Sequence, residues 1–381
     1  MRHIANFVRN TADNERAKFM TARTPPNLIR LDSGSPSFAT PAHIVDALKQ
    51  ALDEGHTGYI LEKGDARLLE ALCEMLATEI GASYAPSQIL ITNGSSSGIY
   101  SVMTAFLDPG DEVIVFDPSY SVYSFIARQL GALPVPVCHD AEYQLDIDAV
   151  AAAITPRTRL VMLNNPNNPT GIVYRREALE ALAELCFRKG LLLISDEAYS
   201  KIIQPGYTHV PTLSFQKYRD ALILLGTYSK SYAMTGWRLG YVVAPPDLID
   251  TIYRVHRAIN GPICTFVQRA GIAALRGPQE WIAEFGGVYH QRAALTHRLA
   301  RKIPGLHPAD PQGAFYLWCR YDADVPAAQL RSMLWERGVA VRSGSEYGAS
   351  GERHIRISYS VDEATIEKGM AIVDEVMCKL R

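Results

Sequence analysis

The amino-acid sequence predicts an α/β protein, with a mostly parallel central sheet flanked by helices and a smaller α+β domain beside it. Three observations predict this. Between Gln88 and Leu225 short continuous apolar runs alternate with longer amphipathic ones, the pattern changes after about Pro278, and 381 residues at 42.1 kDa exceed one minimal domain. Continuous apolar strands indicate a sheet covered on both faces, the usual situation of parallel strands joined by helices.

In chain order, Thr40-Pro41 followed by Ile44, Val45, Leu48 and Leu52, then Gly55, predicts a helix with Thr40 as its N-cap and a glycine stop. Strands are expected at Ile89-Leu-Ile-Thr92, Glu112-Val-Ile-Val-Phe116, Leu160-Val-Met-Leu163, Leu191-Leu-Leu-Ile194 and Leu222-Ile-Leu-Leu225. Beyond Pro278 we expect long helices, an aromatic strand at Gly313-Ala-Phe-Tyr-Leu-Trp318 and a last strand at His354-Ile-Arg-Ile-Ser358. This divides the chain into residues 1–45, an N-terminal segment that helps complete the small domain, a large domain over 46–280, and the small domain over 281–381.

Composition narrows the function classes. Thirty-eight basic and forty acidic residues give a net charge of −2, with no sustained run of Lys and Arg, so nucleic acid is not expected as a partner. Hydrophobic residues make up 48% of the chain, enough for a sizeable core. No stretch approaches the roughly 18 apolar residues of a spanning helix, so we expect no membrane partner and a cytoplasmic location. Six scattered cysteines without a CxxC pair, and ten histidines without HExxH, indicate neither a disulfide framework nor a metal site.

The loops after the strands carry the chemistry. Gly94-Ser-Ser-Ser-Gly98 follows a strand and opens a helix. It fits two uses: a G-x-S-x-G nucleophile elbow, with Ser96 as nucleophile and Asp196 and His354 in the required chain order, or an anion site at a helix N-terminus. Four further features stand out: Asn164-Asn-Pro-Asn-Asn-Pro-Thr-Gly171, Ser195-Asp-Glu-Ala-Tyr199, Gly226-Thr-Tyr-Ser-Lys230, and Arg238. In a doubly wound sheet such strand ends converge on one crevice, and a serine hydrolase leaves most of these residues idle.

Taken together, Ser229-Lys-Ser-Tyr-Ala-Met-Thr-Gly-Trp-Arg238 and Asn167-Asn-Pro-Thr-Gly171 resemble the class I/II aminotransferases, on the aspartate/aromatic side, among the fold-type I pyridoxal phosphate enzymes. The resemblance runs from about Gly34 to Arg356. It implies pyridoxal 5′-phosphate as cofactor, an L-amino acid and a 2-oxo acid as substrates of a ping-pong transamination, and a homodimer with a shared active site. The same cofactor also serves elimination, decarboxylation or oxidation of amino acids, which the motifs do not separate.

Residue by residue, the resemblance implies that Lys230 forms the Schiff base with the cofactor and moves the substrate's proton. Asp196 would pair with the pyridinium nitrogen, Asn168 and Tyr199 would hydrogen-bond the phenolic oxygen, and Tyr120 would stack on the ring, where many relatives carry tryptophan. Ser95, Ser96, Ser97, Thr227, Ser229 and Arg238 would hold the phosphate, with Tyr59 reaching the phosphate of the neighbouring subunit. Arg356 would clamp the substrate's α-carboxylate, Asn168 would also bind substrate, and the backbone at Gly34 would line the substrate side. Ser37, where the family often has an acidic residue, and Gly226, in place of a frequent asparagine, depart from the pattern. Phe7, Tyr120 and Ile259 are candidates for the side-chain pocket, and no second arginine for a dicarboxylate stands out.

Overall fold

The computed structural model describes residues 25–60 and 62–380 of the chain. Phe7 and the rest of residues 1–24 lie outside them. The first strand, β1 (Ile29–Arg30), pairs in parallel with a strand near the C-terminus. Seven strands build the main sheet: β2 (Ile89–Thr92), β3 (Glu112–Asp117), β4 (Leu133–Cys138), β5 (Thr158–Asn164), β6 (Leu192–Asp196), β7 (Leu222–Thr227) and β8 (Gly240–Val243). Their order is β2-β8-β7-β6-β5-β3-β4, and β8 alone runs against the others. The expected mostly parallel sheet flanked by helices is therefore present.

Both faces of this sheet are buried, which explains the unbroken apolar runs. Along β5, Val161 and Leu163 enter one core while Leu160 and Met162 enter the other, and Leu222 and Leu224 alternate with Ile223 and Leu225 in the same way along β7. The edge strand β4 escaped the sequence reading because Pro134 and Pro136 argue against a strand. An edge tolerates prolines, since one side of the ladder needs no donor.

A second sheet of four strands follows the order β12-β13-β10-β9, formed by β9 (Leu306–Pro308), β10 (Tyr316–Tyr321), β12 (Arg342–Ser343) and β13 (His354–Ser358). The two-residue strand β11 (Val339–Ala340) pairs with β1, which ties the N-terminal side of the described chain to this C-terminal region. The aromatic strand thus lies three residues later than expected, and β13 has the expected bounds. The helix Glu280–Lys302 and the helix Glu363–Cys378 cover the second sheet, and Leu31, Phe315, Leu330 and Ile355 lie in its core.

Two local expectations change. The helix predicted from Thr40 spans Ala42–Asp53 with Pro41 at its cap, because the Thr40 hydroxyl donates to the Ala233 carbonyl at 2.7 Å instead of capping. Gly226 faces Tyr241 across the β7–β8 ladder, and a Cβ at Gly226 would lie 2.1 Å from the tyrosine ring. That ring leaves no room for the asparagine frequent among relatives. Gly226→Ala is expected to cost about 1–3 kcal/mol of stability by overpacking. In a Tyr241→Ala background, urea unfolding should give little further loss on adding Gly226→Ala.

Candidate active site

The polar loops converge as the topology requires. Asn164, Asp196 and Thr227 end neighbouring strands β5, β6 and β7, and the helix Gly94–Phe106 starts after β2 at the same edge of the sheet. One cavity of about 200 Å³ is lined there by Gly34, Ser95, Ser96, Tyr120, Asn168, Asp196, Tyr199, Thr227, Ser229, Lys230, Arg238 and Arg356. Segments more than 300 residues apart thus meet in one place.

Asp196 is buried and accepts hydrogen bonds from the Tyr123 hydroxyl at 2.8 Å and from the Ala198 amide at 3.2 Å. Burial disfavours its charged form and raises its pKa to about 6, against the lowering effect of these two donors and of Lys230. Lys230 donates to the Gly34 carbonyl at 2.5 Å. Burial, followed by the charge of Arg356, lowers its pKa to about 8, although Asp196 acts in the opposite direction. An amine in this state is a better nucleophile near neutral pH than a surface lysine.

Arg238 adopts a left-handed backbone (φ 59°), which folds its side chain over Gly94: a Cβ at Gly94 would lie 2.5 Å from the guanidinium. Beside them, Thr227 Oγ1 accepts from the Ser229 amide at 3.1 Å and donates to Ser229 Oγ at 3.0 Å. Backbone amides at the start of a 13-residue helix, the four hydroxyls of Ser95, Ser96, Thr227 and Ser229, and a guanidinium form a cup for an anion. Ser97 does not line the cavity. One further step along the helix turns its Oγ inward, where it is buried without a hydrogen-bond partner among the described residues.

On the other wall Arg356 donates to Asn168 Oδ1 at 2.8 Å and to the Asp32 carbonyl at 2.9 Å, with its guanidinium 3.9 Å from the Tyr316 ring centroid. Tyr199 and Tyr316 share a hydrogen bond of 2.9 Å, and burial pushes both phenols up, so they stay neutral. Tyr120 meets Tyr123 edge-on at 5.6 Å.

Tyr59 is 82% exposed and does not line the cavity of its own chain. Two expectations are redrawn. Ile259 is 52% exposed and also lies outside. His354 stacks on Trp318, and its ring nitrogens face the Tyr143 hydroxyl and the Glu352 carbonyl, so it is no base for Ser96. Tyr123, Asn164, Tyr316, Arg342, Glu346 and Tyr347 line the cavity without having been anticipated. Only the Asn164 motif hinted at its member; the others come from positions whose neighbours are set by folding. Among the described residues no group of His, Cys, Asp and Glu could hold a metal.

The two shifted groups make a pH prediction. Below about pH 8 Lys230 carries a charge that burial opposes, so its acylation in the cofactor-free protein should show a midpoint near 8 in competitive labelling. Arg356→Gln should move that midpoint up and Asp196→Asn should move it down. Between its ordinary 3.8 and about 6, Asp196 binds more protons folded than unfolded, so this group's contribution to stability falls as pH rises through that window. Urea titrations from pH 4 to 6 should therefore show Asp196→Asn gaining on the parent as pH increases.

A model of the family "Aminotransferase class I and II" matches residues 26–373. The aspartate aminotransferase of Geobacillus stearothermophilus is 33% identical over 376 residues, 96% of this chain and 95% of the relative. An arginine–pyruvate transaminase of Pseudomonas aeruginosa is 35% identical over 334 residues, covering 87% of this chain and 85% of that one. The solved structure of Thermus thermophilus aspartate aminotransferase with maleate superposes with a TM-score of 0.90 at 31% identity, covering 99% of this chain and 100% of the other. With the strand-end cavity and its buried lysine already in place, these matches assign the chain to the class I and II aminotransferases.

Proposed function

We propose that this aminotransferase works with pyridoxal 5′-phosphate, moving an amino group from an L-amino acid to a 2-oxo acid in a ping-pong cycle at the cavity around Lys230. The observation that carries the reading is a buried amine and a buried carboxylate on one cavity that also contains an anion cup. The residues fit the cofactor on three counts. The cup at Gly94, Ser95, Ser96, Thr227, Ser229 and Arg238 suits a phosphate. Asp196 has no ion pair among the described residues and would be satisfied by a protonated ring nitrogen. Among the described residues Lys230 donates to one backbone carbonyl, that of Gly34, which leaves its amine available for an aldehyde.

The cofactor supplies an electron sink for the pair of electrons left when the substrate loses its Cα proton. With the cofactor bound, Lys230 would take that proton at Nζ and later release it, a task suited to an amine lowered toward neutral pH. Asp196, braced by Tyr123, would favour a protonated ring nitrogen by its negative charge. Arg356 grips the α-carboxylate, with Asn168 and the Asp32 carbonyl holding the guanidinium in line. Tyr199 offers a neutral hydroxyl, and Tyr120 an aromatic face. The enclosing walls exclude water, which strengthens each of these interactions. We assign residues 46–280 to cofactor binding and the C-terminal region to substrate closure, with 281–381 as the small domain completed by part of 1–45.

We further propose a homodimer in which Tyr59 serves the partner's cup, supported by its exposure on a segment that leaves its own cavity. The six cysteines, all free, fit the reducing cytoplasm. Transamination should be tested by supplying several L-amino acids and 2-oxo acids with added pyridoxal phosphate. New amino and oxo acid pairs are expected; pyruvate and ammonia without a new amino acid would favour elimination. Lys230→Ala should lower the rate at least about 10³-fold, as loss of a covalent and acid–base group does. Tyr59→Phe should weaken cofactor retention several-fold in dialysis, with mixed dimers retaining an intermediate amount.

A further inference from the structure

We propose that His209 is a positioning residue that holds the loop 165–174, and with it Asn168, in line with Asp196. The proposal rests on the cofactor reading of the cavity, in which Asn168 and Asp196 each meet the pyridoxal ring. His209 does not line that cavity, and its side chain is only 7% exposed. It lies behind the loop, where its Nε2 is 2.9 Å from Glu197 Oε2 and its Nδ1 is 3.3 Å from Asn165 Nδ2.

The direction of each bond in this string is fixed by the next. The Tyr174 amide can only donate, and it donates to Asn165 Oδ1 at 3.1 Å. The other atom of that side-chain amide is therefore the NH2 group, and His209 Nδ1 accepts from it. The ring proton then sits on Nε2 and is donated to Glu197. Glu197 is anchored on its far side as well, because its Oε1 accepts from the Ser195 hydroxyl at 3.0 Å and from the Thr212 amide and hydroxyl, both at 2.9 Å. One imidazole thus joins a firmly held carboxyl group to the base of the loop.

Asn165 passes the constraint into the site. Its backbone amide donates to the Asp196 carbonyl at 3.0 Å, beside a second bond of 2.9 Å to the same oxygen from Asn164 Nδ2. Asn164 Oδ1 accepts from the Asn168 amide at 2.8 Å, and Asn168 Oδ1 accepts from Arg356 at 2.8 Å. Asp196 and Glu197 are consecutive, yet only Asp196 lines the cavity, so His209 ties the back of the β6 strand end to the loop whose front carries Asn168. Asn164, Asn165 and Asn168 are at most 5% exposed, so a lost bond leaves a buried group unsatisfied. Small displacements of aligned groups are costly to catalysis, which is what such a brace prevents.

Two substitutions separate the two contacts of the ring. His209→Asn can present an amide oxygen where Nδ1 stands, keeping Asn165 and giving up Glu197, whereas His209→Gln can keep Glu197 and give up Asn165. In the holoenzyme, His209→Gln should lower kcat/KM by about 10-fold or more for the amino acid and oxo acid pair the parent uses best. The pH midpoint of the bound pyridoxal phosphate's absorption should also rise, since a displaced Asn168 no longer favours the ionised phenolic oxygen. His209→Asn should stay within about 3-fold of the parent, with its midpoint unmoved. Urea unfolding should rank the two variants the other way, because His209→Asn takes a donor from buried Glu197. In the proteins as purified, hydrogen exchange over 164–174 should be faster in His209→Gln than in the parent or His209→Asn. Activity lost in proportion to stability in both variants, no loss in either, or a His209→Gln variant with parent midpoint and parent exchange would overturn the proposal. A parent that neither binds pyridoxal phosphate nor transaminates sinks the reading beneath it, and the exchange comparison then decides the role of His209 by itself.

Discussion

The interior of this protein holds a carboxylate and an amine at the end of a sheet where water is largely excluded, and the surrounding structure is arranged to make that tolerable. Asp196 does not solve its burial with an ion pair. It takes a phenolic hydroxyl from Tyr123 and a backbone amide from Ala198, and it remains reluctant to ionise. Lys230 is reluctant to be charged for the same reason. Each group thus lacks a charged partner among the described residues, which is how a binding site differs from a structural salt bridge.

Strand order accounts for the placement. Because β7, β6, β5 and β3 run in parallel, their C-terminal ends open on one edge, and the segment after each contributes polar groups there. The reversed β8 adds another requirement. It brings Gly240 against Gly94 and Ser95, where a Cβ would lie within 2.9 Å of backbone atoms, and so lets Arg238 reach the start of the helix. The cup is built from close backbone approach as much as from side chains.

The second sheet closes the cavity and is fastened to the first. Asp117, at the end of β3, accepts from the Ala349 amide at 3.0 Å and from the Ser350 hydroxyl at 2.6 Å, and the Ser119 amide donates to the Tyr347 carbonyl at 3.0 Å. Gly348 permits the approach, since a Cβ there would lie 2.0 Å from Asp117 Oδ1. This fastening sets the distance between Tyr120, on one side, and Arg342, Tyr347 and Arg356 on the other. The walls of the cavity therefore owe their position to a carboxylate that does not line it.

Local sequence determined a good deal by itself. Period-2 burial on both faces left continuous apolar runs that read directly as strands, and the short motifs around Asn168, Asp196, Lys230 and Arg238 carried their own spacing. The resemblance added Arg356 in the same way. Elements whose local signal opposed their final state were lost: β4 through its prolines, the N-cap at Thr40 through a bond to Ala233, and Ser97 through one step of helical rotation. Tertiary structure alone decided which distant side chains became neighbours. Tyr123 meets Asp196 across 73 residues, and Arg342 stands beside Arg356 because two short strands pair antiparallel. Such contacts depend on chain crossings between strands, and a side chain carries no local mark of the partner that folding will bring to it.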